Sequence, residues 1–381
     1  MTAHLPSKRS EGIDLVRCWF SLHVLFLAHT ISWATQTQGA SSVPAFLSDL
    51  VLSTVWLFQG HGELNPAVIG FIVLSGYCIH RNGLRPGRSI QAFAIRRFFR
   101  IFPVFLLGTI VGIALFMLSS GIDSTKAMAL TGTQNIDGAC IAAKLSAVAS
   151  LWPIAHRCDF QGNAPLLTVM VEIALYAAYG LLFLTKKPWL VPVIAVGSVL
   201  AGLVIAFQNH SHPLVYNWWQ NGSLWAFFPL WWIGAAVVSD SWRIRLFRWL
   251  PAIAVLWIAA TYVSHIETTA VVAELRKLLL SLLFAALVAW VDRLDIRPNI
   301  GSWLGRASYS IYGMHAPIVI FLLLAGVPWW AAAAAAIAIG VISFSIFERP
   351  IDRIGHRLSK RLSSRPIIEG QEAKIPAHRT A

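Results

Sequence analysis

The side chains able to do chemistry in this sequence sit where lipid should exclude them. Residues 12–30 read Gly-Ile-Asp-Leu-Val-Arg-Cys-Trp-Phe-Ser-Leu-His-Val-Leu-Phe-Leu-Ala-His-Thr, an apolar run long enough to span a bilayer that nevertheless carries Arg17, His23 and His29. An ionisable side chain at membrane depth costs about 2.5 kcal/mol or more, so one that persists faces a cavity or a partner. Three in one segment point to a reaction centre, with imidazole for proton transfer and guanidinium for an anionic group of a substrate.

Further stretches repeat the pattern. Segment 60–82 opens with the polar turn Gly-His-Gly-Glu and reaches Ser75-Gly76. In 93–105, Arg97 and Arg100 lie three apart ahead of Pro103, a spacing that shares one helix face. They are either an anion clamp for a phosphate-bearing donor or a topogenic basic segment at the lipid headgroups. In 163–176, Glu172 falls inside an apolar run with Tyr176 four residues on; a carboxylate there is either structurally paired or lines a cavity. In 305–317, Tyr312 and His315 share a face, and a histidine so placed is catalytic or simply hydrogen-bonded structure. Glu348, in Phe-Glu-Arg-Pro, reads as the partner of a neighbouring arginine.

The elements that must hold these groups follow from composition. The chain has 381 residues, 57% hydrophobic and only 12% charged, with a mean hydropathy of +0.65. These values exclude an ordinary soluble enzyme and predict an all-α polytopic membrane bundle. Several of the 17 tryptophans (Trp33, Trp152, Trp218, Trp219, Trp329, Trp330) end apolar runs as interfacial anchors do. The net charge of +13 comes from short loops between apolar runs, which argues for membrane lipids and against nucleic acid as the basic surface's partner.

Runs of about 20 apolar residues predict ten spans at 13–33, 64–80, 101–120, 164–185, 188–207, 224–239, 248–264, 273–291, 306–325 and 328–347, with a short helix at 44–58. With the N-terminus inside, only Lys126, Lys144, Arg157, Arg276 and Lys277 of the 30 Lys and Arg fall outside, so both termini are expected in the cytoplasm. Residues 12–350 form one membrane domain. Residues 351–381 form a basic cytoplasmic tail, helical at first and disordered from about Ser363. The first run lacks a small-residue cleavage site, so no cleavable signal peptide is expected. Cys140 and Cys158 both fall in the long outer segment 121–163, where disulfides persist, and are expected to pair. No metal site and no internal repeat are expected.

Taken together, Asp14-Leu-Val-Arg17, Phe71-Ile-Val-Leu-Ser-Gly-Tyr77, Arg96-Arg-Phe-Phe-Arg-Ile-Phe-Pro103, Pro165-Leu-Leu-Thr-Val-Met-Val-Glu172 with Tyr176, Ser308-Tyr-Ser-Ile-Tyr-Gly-Met-His-Ala-Pro317 and Phe347-Glu-Arg-Pro350 resemble, in order, the motifs of the acyltransferase 3 family of integral membrane O-acyltransferases. The resemblance covers nearly the whole chain and is closest to the branch without an extracytoplasmic hydrolase-like domain. It implies transfer of an acyl group, usually acetyl, from a cytosolic acyl-CoA to a hydroxyl of a glycan or lipid-linked glycan. The setting it implies is a bacterial inner or plasma membrane, and it implies no metal.

By position in those motifs, His29 is the base, and Arg17, Arg97 and Arg100 face the donor's phosphates. Glu172 is expected to orient or charge-stabilise the histidine. Ser75, Tyr176, Tyr309, Tyr312 and His315 are candidates for the acceptor or the oxyanion. A transporter or flippase using intramembrane His and Glu as a proton relay is the alternative, and the missing repeat speaks against it.

One departure matters. The family places ten residues between its arginine and histidine, whereas eleven separate Arg17 from His29. At about 100° per residue, twelve steps leave the two side chains about 120° apart. A π-bulge between Trp19 and Ala28 is therefore predicted, since it would absorb the extra residue.

Overall fold

Only a helix satisfies its own backbone in lipid over such lengths, and each of the ten predicted segments is helical in the computed structural model, which describes residues 10–59, 64–82, 89–152, 161–209, 211–266 and 269–363. The chain enters through α1 (Glu11–Gln38), followed by α2 (Ala45–Phe58), α3 (Pro66–Asn82) and the long α4 (Ile90–Thr131). After the short α5 (Gly138–Leu145) come α6 (Leu166–Thr185), α7 (Leu190–Phe207), α8 (Pro213–Gly222) and α9 (Leu224–Ala236). Then follow α10 (Asp240–Ile266), α11 (Ala270–Val291), α12 (Ile300–Arg306) and α13 (Ser308–Leu324). The last are α14 (Trp329–Ser343) and α15 (Arg349–Ser363), joined by a π turn at Phe344–Glu348. No strand occurs among the described residues.

Six helical runs among the described residues, with α14 and α15 taken together as one, are long and apolar enough to cross a membrane, and a seventh if α12 and α13, bent by 74°, count as one span. The other predicted spans are shorter or charged: α3 has 17 residues, α9 has 13, and α11 carries Glu274, Arg276 and Lys277 near its start. The largest boundary difference is at α4, predicted at 101–120. The Ser89 side chain caps its start by accepting from the Ala92 N–H, so the basic stretch around Arg97 is helical. It was charge, not conformation, that hid this end from a hydropathy count. A break at Asp123 (φ −151°, ψ 96°) interrupts the far end. Helix α15 continues as far as Ser363, and 364–381 lie outside the described residues. Cys140 is disulfide-bonded; its predicted partner Cys158 lies outside the described residues.

The face that carries Ser75 is set by a backbone-to-backbone crossing of α3 and α9. A β-carbon at Gly76 would collide with the Trp231 carbonyl, and one at Gly234 with the Val73 carbonyl. Small residues let helices approach this closely in membranes. Gly76→Ala is therefore expected to cost about 1–3 kcal/mol of stability by overpacking. The control Gly121→Ala, a helical position where the added carbon meets nothing within 4 Å, should cost nothing; thermal unfolding of the two variants in one detergent checks the pair.

Candidate active site

Helix α1 opens into a π turn over Val24–Thr30, in which the Ile31 N–H reaches back to the Phe26 carbonyl. The Thr30 hydroxyl donates to the Leu25 carbonyl at 2.6 Å, occupying an acceptor that the wider turn displaces. The turn begins inside the predicted window and ends two residues beyond it. One residue absorbed there leaves eleven effective steps between Arg17 and His29, about 20° from a common direction on ideal helix geometry. His23, the other histidine of this run, points elsewhere, into an apolar cavity of about 150 Å³ with Trp19, Phe20, Leu27 and Phe58.

Arg17 lines a different cavity, of about 120 Å³, which gathers residues from five helices. Ser75 and Cys78 come from α3, Arg97 and Arg100 from α4, Glu172 and Tyr176 from α6, and Tyr309 and Tyr312 from α13. Every predicted site residue lines it except His29 and His315, leaving aside the cysteine pair. Cys78, Thr168 and Ser308 also line it. None of these three was singled out from the sequence, because no spacing within one helix shows which turns face one another.

The three arginines differ in how far their charge is already answered. Arg17 donates to Asp14 Oδ1 at 2.9 Å and to Cys78 Sγ at 3.3 Å. Arg100 lies 2.9 Å from Glu348 Oε1 and 3.8 Å from Asp352 Oδ2. Glu348 is thus the arginine partner expected; it is fully buried, and its other oxygen accepts from Ser310 at 2.6 Å. Arg97 has no carboxylate partner among the described residues. Its guanidinium lies 5.7 Å from the ring centroids of both Phe93 and Tyr176, and its Nε makes no hydrogen bond. Among the described residues, Arg97 is the cavity arginine without a carboxylate beside it.

Hydroxyl protons in the cavity are mostly committed. The Ser75 hydroxyl donates to Glu172 Oε1 at 2.8 Å, and the Tyr176 hydroxyl donates to the same oxygen. Thr168 donates to the Pro165 carbonyl at 2.9 Å, so the 2.7 Å contact between Thr168 and Tyr312 uses the tyrosine's proton. Tyr309 donates to the Ile101 carbonyl at 3.2 Å. The oxyanion candidates would therefore have to exchange partners to serve a substrate. Glu172 meets Ser75 and Tyr176; it does not bond His29.

His29 lies beyond Tyr312. Its Nδ1 is 2.7 Å from Nε2 of His315, whose own Nδ1 lies 2.8 Å from the Tyr312 carbonyl. The His29 ring stacks on Trp33 with centroids 4.3 Å apart and planes within 5°. Among the described residues, His29 Nε2 makes no hydrogen bond. The helix that carries His315 is tied to its neighbours: Pro317 has no N–H for the Gly313 carbonyl, and Asn163 Nδ2 supplies one at 2.9 Å while also donating to the Gly108 carbonyl on α4 at 3.0 Å. No group of three or more potential metal ligands occurs among the described residues.

A family model described as an acyltransferase domain matches residues 10–348. No curated protein and no solved structure matches the chain.

Proposed function

Because this chain belongs to the acyltransferase 3 family of membrane proteins, we propose that it moves an acyl group, acetyl in the first instance, from a cytosolic acyl-CoA to a hydroxyl of a glycan or lipid-linked glycan. The observation that carries this reading is the pairing of an arginine cavity with a free imidazole nitrogen along one helix. Arg97 offers an unanswered guanidinium, Arg17 shares the cavity with it, and His29 stands twelve residues beyond Arg17. That separation is about 18 Å of helix axis, a span suited to a donor with phosphates at one end and a thioester at the end of a long arm.

In this reading both chain termini are cytoplasmic and the donor enters from the arginine end. The acceptor hydroxyl attacks the thioester carbonyl as His29 Nε2 takes its proton. An O–C bond forms, the C–S bond breaks, and the proton passes to the departing CoA thiolate. No acyl-enzyme is needed. The test uses the purified full chain in lipid nanodiscs with [14C]acetyl-CoA and lipid-linked oligosaccharides extracted from its host. Free thiol and labelled glycolipid should appear in equal amounts. Movement of the oligosaccharide across the bilayer with no thiol released would overturn the reading in favour of a flippase.

A further inference from the structure

The two histidines fix each other's tautomers, and we propose that His315 is the positioning residue that makes His29 a base at Nε2. The inference rests on the reading of His29 as the base. A carbonyl can only accept a hydrogen bond, so His315 Nδ1, 2.8 Å from the Tyr312 carbonyl, carries a proton. In a neutral ring Nε2 of His315 is then bare. The 2.7 Å contact between this nitrogen and His29 Nδ1 must be donated by His29, which leaves the lone pair of His29 on Nε2, the nitrogen with no partner among the described residues.

A doubly protonated His315 would break this chain, but it would place a cation in a site 1% exposed with no carboxylate beside it among the described residues. Such a charge is strongly disfavoured.

The arrangement replaces a familiar one. In hydrolytic triads a carboxylate holds the imidazole's other N–H and so sets its tautomer. Here a second imidazole, itself anchored on a main-chain carbonyl, takes that place. The rings are nearly parallel, 15° apart with centroids separated by 5.0 Å, and with the nitrogens 2.7 Å apart that separation is reached only when the hydrogen bond runs close to both ring planes. When His29 becomes an imidazolium, its Nδ1–H bond to the neutral His315 strengthens as a charge-assisted bond. No buried negative charge is required for this, which suits a site surrounded by lipid.

Two measurements on the full chain in nanodiscs test the proposal. In protein labelled with 15N-histidine, the His29 signals, assigned by their loss in His29→Ala, should report a protonated Nδ1 and a bare Nε2. In His315→Phe they should report a mixture of tautomers, and in His315→Gln, whose amide oxygen accepts in the same place, the wild-type form. Acetyl-CoA turnover should follow with the host's extracted glycolipids as acceptor. His315→Phe should lose about 10²-fold or more in kcat with KM for acetyl-CoA within twofold, and His315→Gln should recover at least tenfold of that loss.

A wild-type His29 protonated at Nε2, or an unchanged tautomer and kcat in a folded His315→Phe, would overturn the proposal. A fully active His29→Ala would instead overturn the assignment of the base, so the two failures are distinguishable.

Discussion

Replacing His29 by alanine is expected to lower kcat by about 10²–10⁴-fold while KM for acetyl-CoA stays within twofold. The split follows from position. In the proposed reaction the donor's charged end lies with Arg17 and Arg97, which line the cavity, and His29 does not line it. Removing the imidazole takes away the acceptor of the hydroxyl proton at the moment of attack and no contact that holds the donor in its ground state. The loss should be purely catalytic, because Trp33, which stacks on His29, and Met314 and Ala316, which flank His315, belong to a core to which α1, α13 and α14 contribute. Initial rates against acetyl-CoA concentration, with thermal unfolding as the control, give both numbers. A raised KM with unchanged kcat would place His29 in donor binding instead.

The second large effect separates two arginines that look equivalent in the sequence. Arg97→Ala should raise KM for acetyl-CoA by about 10–100-fold, the worth of a hydrogen-bonded charge, and leave folding intact. Arg100→Ala should act mainly on stability. It strips the partner from the buried Glu348, and removing one member of a buried ion pair costs about 3–5 kcal/mol; partial exposure of Arg100 puts the expectation at the lower end. Arg97→Lys should recover only part of the loss, since it keeps the charge but not the planar fork. Acetyl-CoA titrations and unfolding curves on the same three preparations decide. Equal KM effects at both positions would mean that the Glu348 bond opens when the donor binds.

What could be read from the sequence and what could not divide along one physical line. Helices were legible because apolar length admits only one answer in lipid. The start of α4 was legible as a helix face carrying Arg97 and Arg100 but not as part of the span, because Arg96, Arg97 and Arg100 lower the hydropathy of a stretch whose helical geometry they do not disturb. The π turn was legible as arithmetic: one residue too many between Arg17 and His29 had to go somewhere.

Partnerships between helices were not legible, since loops carry no information about the rotation of one helix against another. Ser75 finds Glu172 across 97 residues and His29 finds His315 across 286. Glu172 was expected to orient His29. It sits on α6, which packs on α4 and α9, and its carboxylate is spent on Ser75 and Tyr176. His315, expected at the acceptor or oxyanion, bonds His29 in its place.

The π turn of α1 also bears on how long the first helix can be. A chain one residue shorter between Val24 and Thr30 would present Arg17 and His29 in the same relative direction from a plain α-helix, with one irregular turn fewer. A chain one residue longer would need a second irregular turn to do so. The quantity such a turn adjusts is angular phase between two side chains, not their distance along the chain. A spanning helix can thus change its length by one and stay in step, provided the surplus is wound into a turn of wider bore.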